Sequence, residues 1–146
     1  MSKYTAIKRT KLSAPMQYLY DGGLTTGNCL DYGCGRGFDC DVLGISGYDP
    51  FWRPLECWLY VDHPEKYDRV FCNYVLNVVT IEEQKHIIDT INGLLDRRGL
   101  AFYAVRRDIK EDRQGRGCIQ RAVVLSDPFK SLVKNSSFEI YLIGKQ

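Results

Sequence analysis

The sequence predicts an α/β fold: a doubly wound, mostly parallel sheet with an antiparallel C-terminal strand, compact and in one domain over residues 1–146. Three observations predict it. Short apolar runs rich in β-branched and aromatic residues alternate with helix signals, the pattern of strand–helix–strand units. The stretch "LDYGCGRGFD" (30–39) puts three glycines in five residues directly after the first such run. A glycine-rich turn between a strand and a helix lets the backbone approach a ligand closely. Finally, the runs at 118–126 and 138–144 lie too close together for a long parallel crossover, so they are expected to pair antiparallel.

Each element has a local reason. An N-terminal arm and helix occupy 1–24. Within it, "LSAPMQYLYDGGL" (12–24) opens on Ser13 as a candidate cap and stops at Gly22–Gly23. "NCLDY" (28–32) reads as a short buried strand, "RGFDCDVLG" (36–44) as a short helix, and "ISGYDP" (45–50) as a very short strand ended by Pro50. "ECWLYVD" (56–62) is a weak edge strand. "RVFCNYVLNVV" (69–79) is the most apolar run and suits a central strand followed by a loop. The clearest helix spans 80–97. Thr80 and Glu83 form a capping box, Ile81, Ile87, Ile88, Ile91, Leu94 and Leu95 share one face, and Gly99 is the stop signal. "LAFYAVRR" (100–107) is a strand and "DIKEDRQGRG" (108–117) a charged loop. "CIQRAVVLS" (118–126) is a strand, "DPFKSLVKN" (127–135) a short helix with Pro128 in its first turn, and "FEIYLIG" (138–144) the last strand.

The bulk numbers set bounds. With 146 residues, 45% hydrophobic and 26% charged, the chain buries a core without disulfide staples. A net charge of +2 is too mild to indicate nucleic acid as a partner, and is compatible with it. The six cysteines include no CxxC pair, and the two histidines, His63 and His86, lie far apart, so neither a metal nor a disulfide framework is expected. No secretory signal is evident in "MSKYTAIKRTK", and no apolar run reaches the length of a membrane span. A reducing cytoplasm is the expected compartment.

The residues around the turn narrow the ligand. Gly33, Gly35 and Gly37 are spaced GxGxG, and no Lys-Ser/Thr pair follows, so a phosphate-binding loop is not indicated. Asp31 precedes the turn. Its carboxylate repels a pyrophosphate and attracts a cationic ligand end. Asp49 ends the next strand, where a carboxylate accepts the hydroxyls of a ribose.

These residues resemble the S-adenosylmethionine-dependent methyltransferases of the Rossmann-like fold. "LDYGCGRG" looks like their nucleotide-binding motif, "GYDP" like their ribose-binding acid, "YDRVFCNYVLNVV" like their fourth strand, and "LLDRRGLAFYAV" like the entry to their fifth. The likeness covers about residues 28–107. A narrower one, in "TAIKRTKLSAPMQYL" and "AVRRD…GCIQRAVVL", is similar to a bacterial group of methyltransferase-like proteins associated with DNA phosphorothioation. The family resemblance implies S-adenosylmethionine as cofactor, with Asp31 near its cationic end, Gly33, Gly35 and Gly37 against its methionine and ribose parts, and Asp49 on the ribose. Tyr48 or Pro50 would flank the adenine, with Asp62 as the candidate to read it. Asn73 and Tyr74 would line the site where methyl and acceptor meet, Asn73 also touching the cofactor. No "DPPY" or "NPPY" occurs, so the usual marker of amino-nitrogen methylation in DNA methyltransferases is missing.

The rival expectation is a binding module that senses or sequesters the cofactor, or serves as a subunit of a larger complex, without transferring methyl. Few segments are left over to form a substrate lid. The acceptor side is therefore expected to be open, or completed by a second copy or a partner subunit. Arg106 or Arg107 is a candidate for substrate contact. The basic cluster Lys3, Lys8, Arg9 and Lys11 is either a flexible arm or a cover over the cofactor.

Overall fold

The computed structural model describes residues 5–54, 66–115 and 117–146. Along the chain run α1 (Ala14–Asp21), β1 (Cys29–Tyr32), α2 (Phe38–Leu43), β2 (Ser46–Tyr48), β3 (Tyr67–Asn73), α3 (Ile81–Leu94), β4 (Leu95–Arg106), β5 (Arg113–Gly115), β6 (Cys118–Gln120), β7 (Lys130–Lys134) and β8 (Phe138–Gly144). Six strands form one sheet in the order β2-β1-β3-β4-β8-β7. β1 pairs in parallel with β2 on one side and β3 on the other, so the winding reverses there. Such a switch point is where open α/β sheets bind ligands, beyond the carboxyl ends of the strands. β8 runs antiparallel between β4 and β7, as expected for the C-terminal strand.

Alternation along the strands divides the core into two layers. Leu30, Tyr32, Val70, Cys72, Ala101, Tyr103 and Val105 pack with Ile87, Ile91 and Leu94 of α3. Phe71, Phe102, Ala104 and Ile140 pack with Met16 and Leu19 of α1. At eight residues α1 is too short to stand alone. Fully burying Met16 and Leu19 contributes about 1.5–3 kcal/mol each and holds it on the sheet.

α3 has the expected capping box. Glu83 N donates to Thr80 Oγ1 at 3.1 Å, and Thr80 N donates to Glu83 Oε1 at 3.2 Å. Ile81, assigned to its apolar face, is 52% exposed in the first turn. The helix ends at Leu94 rather than 97, and Leu95 enters β4 with no loop between. Gly99 therefore sits inside a strand and is not a helix stop. Its role is close approach: a Cβ there would lie 2.9 Å from the carbonyl oxygens of Tyr67 and Asp96, where the β3–β4 register shifts.

Two C-terminal expectations are corrected. The strand expected at 118–126 is regular only over Cys118–Gln120, which pairs with β5 in a separate hairpin. Residues 121–126 cover the α3 layer instead, with Val123 and Leu125 against its core. The backbone there is held by Asn77, whose Nδ2 donates to Arg121 O at 2.8 Å. The helix expected at 127–135 is replaced by the edge strand β7. The open edge of the apolar strand β8 offers a full ladder of partners, and pairing overrides a weak local helix preference. The edge strand expected at 56–62 lies outside the described residues. Among the described residues no helix is long and apolar enough to cross a membrane.

Candidate functional site

A cavity of about 560 Å³ opens at the carboxyl ends of the parallel strands. Its wall includes seven of the residues singled out from the sequence for the cofactor and the methyl: Asp31, Gly33, Gly35, Gly37, Asp49, Asn73 and Tyr74. β1 delivers Asp31, the turn follows, β2 delivers Asp49, and β3 delivers Asn73 and Tyr74.

The turn's shape explains its glycines. Gly33, Gly35 and Gly37 have φ of 81°, 57° and 88°, a region that side chains disfavour. Space is short as well. A Cβ on Gly33 would overlap Cγ2 of Val75, and one on Gly35 would lie 3.2 Å from Cβ of Ala6. Gly33 N and Cys34 N both donate to Tyr48 O, at 2.7 and 2.9 Å, which ties the turn to β2. Gly35 N donates to Asp49 Oδ2 at 3.1 Å.

Asp49 is thereby a builder of the site. Its Oδ1 also accepts from Phe51 N at 2.9 Å and Trp52 N at 3.0 Å. Three backbone donors leave Oδ2 with acceptor capacity for one hydroxyl, since a carboxylate offers about four acceptor positions. Tyr48 packs against Tyr32, ring centroids 5.0 Å apart, and neither it nor Pro50 lines the cavity. Asp62 lies outside the described residues.

The other side of the cavity has the opposite character. Asp31 is 3% exposed, and no hydrogen bond or ion pair among the described residues reaches its carboxyl. Burial chiefly, with Cys40, Asp39 and Asp49 nearby, pushes that carboxyl well above the ordinary carboxylate range, while Arg9 draws it down. Beside it, both amide atoms of Asn73 are buried without a partner among the described residues. Unpaired buried polar atoms are rare and each calls for a reason. Tyr74 is the one non-glycine residue with positive φ among those described, 63°, a conformation that costs about 1–2 kcal/mol. Its ring is half-buried, and burial raises its phenol above the usual value, so it is a neutral hydrogen-bonding group at neutral pH.

Several wall residues went unassigned in the sequence. The N-terminal arm contributes Thr5, Ala6, Ile7 and Arg9 to the wall; of the basic cluster, Lys8 and Lys11 lie outside it and Lys3 lies outside the described residues. Asp39 clasps α1 to α2: its Oδ1 accepts from Ser13 N at 3.0 Å and its Oδ2 from Ser13 Oγ at 2.6 Å. Ser13 occupies the cap position of α1 yet spends its side chain on this clasp. Arg106, a candidate from the sequence, reaches the wall paired with Asp108 through two hydrogen bonds of 2.9 and 2.5 Å. Arg107 instead donates to Asn135 O. Asp39 carried a weak signal, an acid at the second helical position after the glycines. Arg9 carried only its membership of the basic N-terminal cluster.

No protein-family model matches the sequence, and no curated protein matches it. Solved structures do. A 1,6-didemethyltoxoflavin-N1-methyltransferase from Burkholderia thailandensis, with 1,6-didemethyltoxoflavin and S-adenosylhomocysteine bound, aligns over 90% of this chain and 77% of its own, with TM-score 0.66 and 14% identity. DhpI in complex with S-adenosylhomocysteine aligns over 88% of this chain and 82% of its own, with TM-score 0.60 and 16% identity. The magnesium protoporphyrin IX methyltransferase ChlM of Synechocystis PCC 6803 aligns over 91% and 77%, with TM-score 0.51 and 17% identity. The chain has the Rossmann-like fold of the S-adenosylmethionine-dependent methyltransferases.

Proposed function

We propose that the protein binds S-adenosylmethionine in this cavity and transfers its methyl group to an acceptor. The observation that carries the reading is the bare polar pair at the switch point, Asp31 and Asn73, buried beside a glycine turn that has no room for side chains. Such groups are stable in a folded protein when a ligand supplies the missing partners. The solved structures of this fold that carry that cofactor or its demethylated product support the same ligand.

The residues present fit it. Asp31 would face the cationic end, Gly33, Gly35 and Gly37 would let the backbone lie against the ligand, and the remaining acceptor site on Asp49 would take a ribose hydroxyl. The cofactor's sulfonium supplies an electrophilic methyl. The chain's contribution is then alignment, worth up to about 7–11 kcal/mol in favourable cases. Asn73 and Tyr74 are the groups we assign to the place where methyl and acceptor meet. Tyr74, neutral and set in a strained backbone, orients an acceptor by hydrogen bonding and does not act as a base. We place the chain in the reducing cytoplasm as a single domain.

Calorimetry with S-adenosylhomocysteine tests the first half, and a screen of DNA, RNA, protein and small-molecule pools with methyl-labelled cofactor tests the second. No binding overturns the reading. Tight binding with no labelled acceptor replaces transfer with a sensing or sequestering role. In a transferring enzyme, Asn73→Ala with Tyr74→Phe keeps cofactor affinity within about tenfold, roughly 1.4 kcal/mol, and cuts transfer by far more.

A further inference from the structure

Two thiols meet beneath the glycine turn. Cys34 stands within the turn, half-buried in the cavity wall, and Cys40 lies buried on α2. Both are reduced. Their sulfurs converge on one point of β2: a Cβ on Gly47 would overlap Cys40 Sγ and lie 3.0 Å from Cys34 Sγ. Any side chain at 47 would push one sulfur or both aside, so that glycine keeps them together. Each thiol also donates to a carbonyl of the turn, Cys34 Sγ to Gly35 O at 3.6 Å and Cys40 Sγ to Gly37 O at 3.3 Å. The pair therefore brackets the stretch that carries Gly35 and Gly37, and its protons help to hold that stretch. Cys29 and Cys72 are packed into the two core layers, Cys118 sits in the β5–β6 hairpin, and Cys57 lies outside the described residues.

We propose that Cys34 and Cys40 are a reversible modification site, a disulfide that forms in the empty protein and shuts the glycine turn to its ligand; the identity of that ligand rests on the cofactor reading above. The oxidant is a low-molecular-weight disulfide. Cys34, reached from the cavity, attacks one of its sulfurs to give a mixed disulfide, and the first small thiol leaves with the proton that Cys34 gave up. Cys40 then attacks the Cys34 sulfur, the second small thiol leaves with the Cys40 proton, and the Cys34–Cys40 bond closes. Two electrons pass from the protein to the reagent, which is reduced to two thiols. The new bond is about 2.05 Å long. That is far shorter than a contact between unbonded sulfurs, so Cys34 is drawn towards α2. Gly35 O and Gly37 O lose their donors in the same event, and Cys34 N and Gly35 N are pulled against their acceptors, Tyr48 O and Asp49 Oδ2. A ligand lying along the turn covers Cys34 and blocks the first step. The hydrogen bond with Cys40 chiefly, then burial, then Asp31 and Asp49 push the Cys34 thiol well above its ordinary range. Attack is therefore slow at neutral pH and quickens as pH rises. In a reducing compartment such a bond is transient, as a switch requires.

The full-length protein is treated with hydroxyethyl disulfide at about pH 8.5, with and without S-adenosylhomocysteine, and mapped by mass spectrometry of its peptides. A peptide joining Cys34 to Cys40 is expected, forming at least about threefold more slowly when S-adenosylhomocysteine is bound. Calorimetry on the joined, adduct-free protein is expected to show affinity for S-adenosylhomocysteine lowered at least about tenfold, and dithiothreitol is expected to restore it. Cys40→Ser, which removes the second thiol, is expected to stop at the mixed disulfide on Cys34. Cys34→Ser, compared with itself before and after treatment, is expected to keep its affinity. Circular dichroism checks the fold of each variant, and the wild-type map decides the linkage without them. Absence of the joined peptide overturns the site. A joined peptide with unchanged affinity overturns the switch, and an equal loss of affinity in treated Cys34→Ser does so by placing the effect at another thiol. Reduced wild-type protein that does not bind S-adenosylhomocysteine overturns the cofactor reading instead, and the joined peptide alone then upholds or overturns the thiol pair.

Discussion

Two acids share the cavity and live in different worlds. Asp49 accepts three backbone hydrogen bonds and holds the glycine turn to the end of β2. Asp31 sits on the neighbouring strand, just as buried, and accepts none among the described residues. The same contrast runs between two asparagines. Asn77 is fully engaged, accepting from Arg106 N at 2.9 Å and donating to Arg121 O at 2.8 Å, whereas both amide atoms of Asn73 lack a partner among the described residues. One region of the site is therefore finished by the chain itself and the other is left incomplete. Finished groups build shape, and incomplete ones cost stability that a ligand returns.

Substitution can break this comparison. The largest effect is expected at Asp49. Asp49→Ala strips three donors of their acceptor, and thermal or denaturant unfolding should show a loss of about 3 kcal/mol or more, with ligand affinity falling as the turn loosens. A folded Asp49→Ala protein of unchanged stability would place the acid outside the turn's architecture.

Asp31→Asn is expected to act in the opposite direction on stability, raising it by about 1–2 kcal/mol at pH 8. The pH dependence fixes the sign. A folded-state value raised by burial means that the folded protein holds its proton more tightly than the unfolded chain. Asp31's contribution to stability is complete below its unfolded value and is lost as pH rises through the folded one. Melting curves of Asp31→Asn and wild type should thus converge at low pH and separate as pH rises. Affinity for a cationic ligand runs the other way: it should climb with pH through the same titration and be flat in the variant. A variant less stable than wild type at pH 8 would mean that Asp31 has partners in the free protein.

Thr80→Ala, outside the site, provides a ruler. Loss of its capping box should cost about 1 kcal/mol with no change in ligand affinity. The smallest stability effect is expected at Asn73, where Asn73→Ala removes groups that bond to nothing, so unfolding should shift by under about 0.5 kcal/mol. A cost above 1 kcal/mol there would reveal an intramolecular partner for the amide.

The difference between finished and incomplete regions also explains what the sequence disclosed. The glycine turn was legible because a backbone with φ above zero and no room for a Cβ admits few residue types, and that need is printed locally. The two acids were legible because they flank the turn at strand ends. β7 was not, because its conformation is imposed by the free edge of β8, a partner that local preference does not see. Gly99 was misread for a related reason: a close backbone approach and a helix stop both select glycine, and only the neighbouring strand tells them apart. Arg9 is legible only as one member of a basic cluster, because its place in the cavity wall depends on how the N-terminal arm folds back onto the turn.

The wall of the cavity runs from Thr5 on the arm to Ser137 in the turn before β8. Most of the chain must be in place before that ring is complete, and opening either extremity breaks it. Occupancy is therefore a report on the whole molecule rather than on the switch point alone. A bound ligand would act as a hoop, coupling the fraying of the first residues to that of the last strand, so that amide hydrogen exchange in β8 slows when the glycine turn after β1, three strands away across the sheet, is filled.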